Sequence, residues 1–196
     1  MKAAAPAPAI GVGETVVVDE PAIDGILADW RDAIGPAFDG YRGHVYRVFN
    51  VCLRLRQCSD EERRKLAIAL AFHDIGLWSA QTVDYLPPSE AEAAAWLARN
   101  GLVAWTDEIR LIIRMHHRLR PWRDPATPLV EVLRRADLVD FSLGAVRAGV
   151  PRAFLRRLSA TFPNAGFHRF LFARARARAR GWWLRHPLRP MPFLRW

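Results

Sequence analysis

The chain has 196 residues, 51% of them hydrophobic and 25% charged, which is enough to bury one core without disulfides or a structural metal and excludes disorder. Its formal charge of +9 suggests nucleic acid until it is located: Gly166 to Trp196 holds eight arginines and no acid, leaving 21 basic and 20 acidic side chains in a nearly neutral body. No run approaches the roughly eighteen apolar residues of a membrane span, and only two cysteines, Cys52 and Cys58, occur, as suits a reducing, cytoplasmic compartment better than a disulfide framework.

Pro6 and Pro8 break the apolar start, so residues 1–20 are expected to be a flexible leader rather than a signal peptide. Glu14 to Asp19 has three valines, too few to predict a sheet. Asp19 or Glu20 can cap a first helix opened by Pro21, with Ile23, Ile26, Leu27 and Trp30 on one face and Gly35 and Pro36 as its stop. A second helix is predicted from about Tyr41 to Cys58, with His44, Val48, Val51, Cys52 and Leu55 facing inward. Ser59 and Glu62 make a capping box for a third, whose stripe is Leu66, Ala69, Leu70 and His73. A loop is expected from Ile75 to Pro88. Ser89 and Glu92 form another capping box, for a helix closed by Gly101. Further helices are predicted from Thr106, from Thr127 with Pro128 first, over Pro151–Phe162 and over Gly166–Arg180, with irregular chain beyond Gly181. The whole reads as an all-α bundle of about seven helices, the domain proper covering residues 21–165 and a basic aromatic C-terminal helix and tail covering 166–196.

Four residues with metal-binding side chains stand on these helices where apolar ones belong: His44, the adjacent His73 and Asp74, and Asp137. Burying two imidazoles and two carboxylates without partners is costly, and a divalent cation is an efficient partner for all four. Mixed nitrogen and oxygen donors suit Mn, Fe, Co, Ni or Zn better than Mg. A fifth candidate comes from helical arithmetic. His116 follows Ile109 by seven, Ile112 by four and Ile113 by three residues, placing it in the apolar stripe, whereas His117 is rotated by about 100°.

The ordered set resembles the HD superfamily of metal-dependent phosphohydrolases, whose signature is a histidine, a later His-Asp pair and a distant aspartate on separate helices. Here these are His44, the segment Phe72-His73-Asp74-Ile75-Gly76, and Asp137 within Arg135-Ala136-Asp137, and the resemblance covers about residues 40–145. It implies an HD-type helical bundle with a metal on His44, His73, Asp74 and Asp137. One cation is expected, since no histidine lies between His73 and His116. The implied reaction is hydrolysis of a phosphoester in a small, nucleotide-like substrate by a metal-activated water. Asp74 and His116 are then the catalytic residues, as base and as donor to the leaving oxygen or phosphate. Arg47, Asp84 and His117 are candidates for substrate binding, with Arg42 and Arg114 as further phosphate clamps and Trp78 or Tyr85 as stacking surfaces for a base. His168 and His186 are expected at the surface. Two other readings stay open: an HD-type hydratase or hydrolase of a small non-phosphate substrate, and a non-catalytic binding module acting through its tail. That tail is expected to pack on the domain, or else to make weak contact with nucleic acid or an anionic membrane.

Overall fold

The computed structural model describes residues 15–80, 84–174 and 176; the leader up to Glu14 and most of the tail, with His186 and its tryptophans, lie outside the described residues. Among those described there is no strand, and seven helices of ten or more residues form one bundle: α1 (Pro21–Ile34), α2 (Phe38–Leu55), α3 (Asp60–Phe72), the single turn α4 (Gly76–Ser79), α5 (Leu86–Arg99), α6 (Thr106–Met115), α7 (Pro128–Phe141) and α8 (Arg152–Thr161). Residues 167–174 are also helical. No described helix is long and apolar enough to cross a membrane, and both cysteines are free thiols.

Helix α1 buries Ile23, Ile26, Leu27 and Ile34 and ends where Gly35 takes a φ of 61°. The 3-10 turn that follows leads straight into α2, which starts at Phe38, three residues earlier than expected. It stops at Leu55 rather than Cys58, because Arg56 is already extended; Ser59 then caps α3, donated to by the Glu62 backbone while the Glu62 carboxylate accepts from the Ser59 N–H. Helix α2 is the centre of the bundle, buried continuously from Gly43 to Cys52 and packed against α1, α3, α7 and α8.

The segment after the His-Asp pair departs from expectation. Instead of a loop to Pro88 it makes the α4 turn, and α5 starts at Leu86, with Pro87 and Pro88 inside its first turn. Prolines are harmless there because the first N–H groups of a helix have no partner within it. Ser89 is consequently not a cap: it is fully buried, and its Oγ accepts from the Gly76 N–H at 2.9 Å. This bond ties α5 to the turn that carries the His-Asp pair. A Cβ at Gly76 would lie 2.1 Å from the Tyr85 carbonyl oxygen, so only glycine permits this approach.

The C-terminal helical turns pack back on the domain. Phe167 is buried in the main core, Phe170 stacks on Trp78 at 5.4 Å, and the Arg174 guanidinium donates to the Leu77 carbonyl. His168 is buried rather than at the surface, since its Nε2 donates to the Asp140 carbonyl.

Candidate metal centre

Four helices deliver the site. His44 comes from the second turn of α2, His73 and Asp74 from the end of α3, His116 and His117 from the end of α6, and Asp137 from the last turns of α7. Helix α3 ends at Phe72 and α6 at Met115, so each presents its histidine as the chain leaves the helix. His44, His73, Asp74, His116 and Asp137 are each 5% exposed or less.

The His44 and His73 Nε2 atoms are 3.0 Å apart. Asp137 Oδ1 is 3.5 Å and Asp74 Oδ2 3.9 Å from His44 Nε2, while Asp74 Oδ2 is 3.4 Å from His73 Nε2. His116 Nε2 faces Asp74 Oδ1 at 3.6 Å, and neither atom has a hydrogen-bond partner although both are buried. The His117 ring also enters the cluster. Its Nδ1 is 3.9 Å from Asp137 Oδ2, and its Nε2 shares a 2.5 Å hydrogen bond with the Tyr85 hydroxyl. Helical arithmetic separated His117 from His116 by a third of a turn, but the helix has ended before both, and their rings lie 3.9 Å apart.

The far nitrogens of the three innermost rings are all engaged. His73 Nδ1 donates to the Leu70 carbonyl at 2.7 Å, His116 Nδ1 to the Ile113 carbonyl at 2.6 Å, and His44 Nδ1 to the Asp140 carboxylate at 2.7 Å. Carbonyls and carboxylates only accept, so the proton of each neutral ring sits on Nδ1 and the Nε2 lone pair points at the centre. Two lone pairs 3.0 Å apart repel unless a cation lies between them. Two nitrogens bound at about 2.1 Å to one cation have about this separation. The residues therefore fit a divalent metal. Three overlapping groups have ligand atoms close enough to hold one: His44, His73 and Asp137; His73, Asp74 and His116; and His116, His117 and Asp137.

Electrostatics follow from burial and from this mixture of charges. Burial drives His73 down to about 3, opposed by the Asp74 charge, so the ring is neutral over the physiological range. Burial also pushes Asp74 up, but His73, His116 and His44 outweigh it and hold the carboxyl far below the usual range. Asp137 goes the other way, raised to about 6 by burial and the neighbouring Asp74 and Asp140 charges against the pull of His116 and His44. His116 is lifted because Asp74 and Asp137 outweigh its burial, whereas burial and His116 itself keep His117 well below its ordinary value.

Most other residues expected at the site are engaged by protein partners. The Arg47 guanidinium is buried and committed: Nε and Nη2 donate to Asp140 at 2.6 and 2.9 Å, and Nη1 to the carbonyls of Phe162 and Pro163. It is a counter-ion on the outer side of His44 and not a phosphate clamp. Arg42 pairs with Asp24 and Arg114 with Glu90. Asp84 stands half-buried just before α5 and is not among the groups whose ligand atoms converge. Trp78 is half-buried between Phe170 and Tyr41, and Tyr85 is buried against His117. Asp140 is the residue that sequence reasoning missed. It lies three positions after Asp137 on the same helix face, a spacing that could have found it.

A family model for the HD domain matches residues 41–142, just over half of the chain. No curated protein and no solved structure matches it.

Proposed function

Since the chain belongs to the HD domain family of metal-dependent hydrolases, we propose that it is a phosphohydrolase holding one divalent transition-metal cation on His44, His73, Asp74 and Asp137. The observation that carries the reading is the pair of inward Nε2 lone pairs at 3.0 Å, with two carboxylates of opposite titration beside them. A divalent cation bound there would lower the pKa of a water toward neutrality and polarise a phosphoryl oxygen. Asp74 offers Oδ1, buried and without a hydrogen-bond partner, as the acceptor for the proton of an attacking water. His116, 3.6 Å from it, holds a proton to higher pH than an ordinary histidine and is the donor to the leaving oxygen. His117, tied to Tyr85 and beside Asp137, orients the substrate. Nucleotide-like phosphoesters are the substrate class.

A second reading rests on the arginines. Arg42, Arg47 and Arg114 are all paired with acids, which favours a hydrolase of a small uncharged substrate such as an amide or nitrile. The test is elemental analysis of dialysed wild type and Asp74→Ala, followed by a screen of the metal-loaded protein on nucleotides, phosphomonoesters and small amides. About one transition metal per chain, lost in the variant, together with phosphate release supports the first reading. Turnover of amides alone supports the second, and no metal in either protein overturns both.

A further inference from the structure

We infer that Asp140 and Arg47, together with the segment of residues 162–168, form the back wall of the metal centre, acting as positioning groups that set the tautomer and ring plane of His44. The inference rests on reading the cluster as a metal centre. Residues 162–168 lie beyond the stretch that matches the family model.

His44 is the one inner histidine whose Nδ1 is held by a side chain. The acceptors for His73 and His116 are carbonyls of their own helices, three residues back, and any residue there supplies them. The acceptor for His44 is a carboxylate 96 positions away. Asp140 Oδ2 takes both the His44 Nδ1 proton and an Arg47 Nη2 proton, while Oδ1 takes the Arg47 Nε proton, so the carboxylate is clamped in one orientation. Without it the proton could move to Nε2 and block the ligand position.

Arg47 is fixed in turn from the C-terminal side, donating to the Phe162 and Pro163 carbonyls. Phe167 stacks on the His44 ring with centroids 4.8 Å apart and planes 29° off parallel, which sets the direction in which Nε2 points. His168 closes the arrangement by donating to the Asp140 carbonyl. Two glycines on α2 make the approach possible. A Cβ at Gly40 would meet Phe167 Cβ at 3.1 Å, and one at Gly43 would meet the Pro163 oxygen at 3.0 Å and Arg47 Nη1 at 3.2 Å. The face of α2 that carries His44 is thus cut back where the C-terminal segment lies against it.

The test uses the full chain. Replacing the pair by apolar residues, Arg47→Met with Asp140→Leu, removes the acceptor without leaving a buried charge unpaired. Cobalt affinity is read by chelator competition and visible absorption, and folding by far-ultraviolet dichroism. The variant is expected to stay helical and to bind cobalt about ten- to a hundredfold more weakly, with an altered absorption band. Long-range nitrogen–proton spectra of the unsubstituted, metal-free protein provide a readout that needs no variant, and should show His44 protonated at Nδ1. A wild type that binds cobalt beside a folded variant that binds it within twofold overturns the inference, as does a His44 proton on Nε2. A wild type that takes no cobalt overturns the metal-centre reading itself.

Discussion

Lowering the pH from 7 to 5 should weaken metal binding at least tenfold. Asp137, raised to about 6, carries a proton below that pH, and this proton occupies the oxygen the cation needs. Between pH 7 and 5 the competition from this single group changes the apparent affinity about tenfold, or about 1.4 kcal/mol. Asp74 is held well below the usual carboxylate range and His73 at about 3, so both stay ready to bind throughout the window and add nothing. His116 is raised and must also shed a proton if it contributes, which steepens the dependence. The linkage to stability has a definite sign. Asp137 has a higher pKa folded than unfolded, so its contribution to the metal-free fold is complete below about pH 4 and lost as pH rises through about 6. The rise in Tm on adding zinc should therefore widen from pH 5 to pH 7. Competition titrations with a chromophoric chelator across this range provide the assay, and an affinity that changes less than twofold would refute the reasoning.

Other perturbations separate the roles assigned above. His116→Gln should keep the metal and lower turnover about 10²- to 10⁴-fold, as for loss of a general acid; loss of the metal would instead make His116 a ligand. Gly76→Ala forces a Cβ against the Tyr85 carbonyl and should cost about 3 kcal/mol in urea unfolding, because backbone there cannot give way. A cost under about 1 kcal/mol would show that the α4–α5 junction is not rigid. Phe167→Ala removes a fully packed ring and should cost about 3–5 kcal/mol. A stable protein would mean that the C-terminal turns are not part of the core.

The helices and the residues that converge at the site were legible because their signals are local or periodic. The Ser59 capping box, Pro21 and Pro128 at first turns, and the stripe leading to His116 each depend on residues a few positions apart. The early start of α5 was hidden because Pro87 and Pro88 read as loop, whereas they are tolerated inside a first turn. Arg47 was misread for the opposite reason. Its proximity to His44 in sequence suggested a substrate clamp, but its partners Asp140, Phe162 and Pro163 lie 93 or more positions away, beyond anything periodicity reports. His168 was placed outside by its arginine-rich neighbourhood, while the bond that buries it goes to the backbone of α7. The HD domain match and the all-helical bundle agree with the motif-based reading, since the His-Asp pair needs only the end of one amphipathic helix to be recognised.

The encasement of α2 also fixes an order of events during synthesis. His44 emerges from the ribosome 96 residues ahead of Asp140 and further still ahead of Phe167, so at about 5–20 residues per second its ring waits roughly 5–20 s for Asp140 and longer for Phe167. The nascent chain meanwhile exposes the buried face of α2 and the histidine and aspartate side chains of the candidate site. If the site holds a metal as proposed, loading is then a late step that follows synthesis of nearly the whole chain, and stalled nascent chains ending before Asp140 should bind cobalt far more weakly than the full chain.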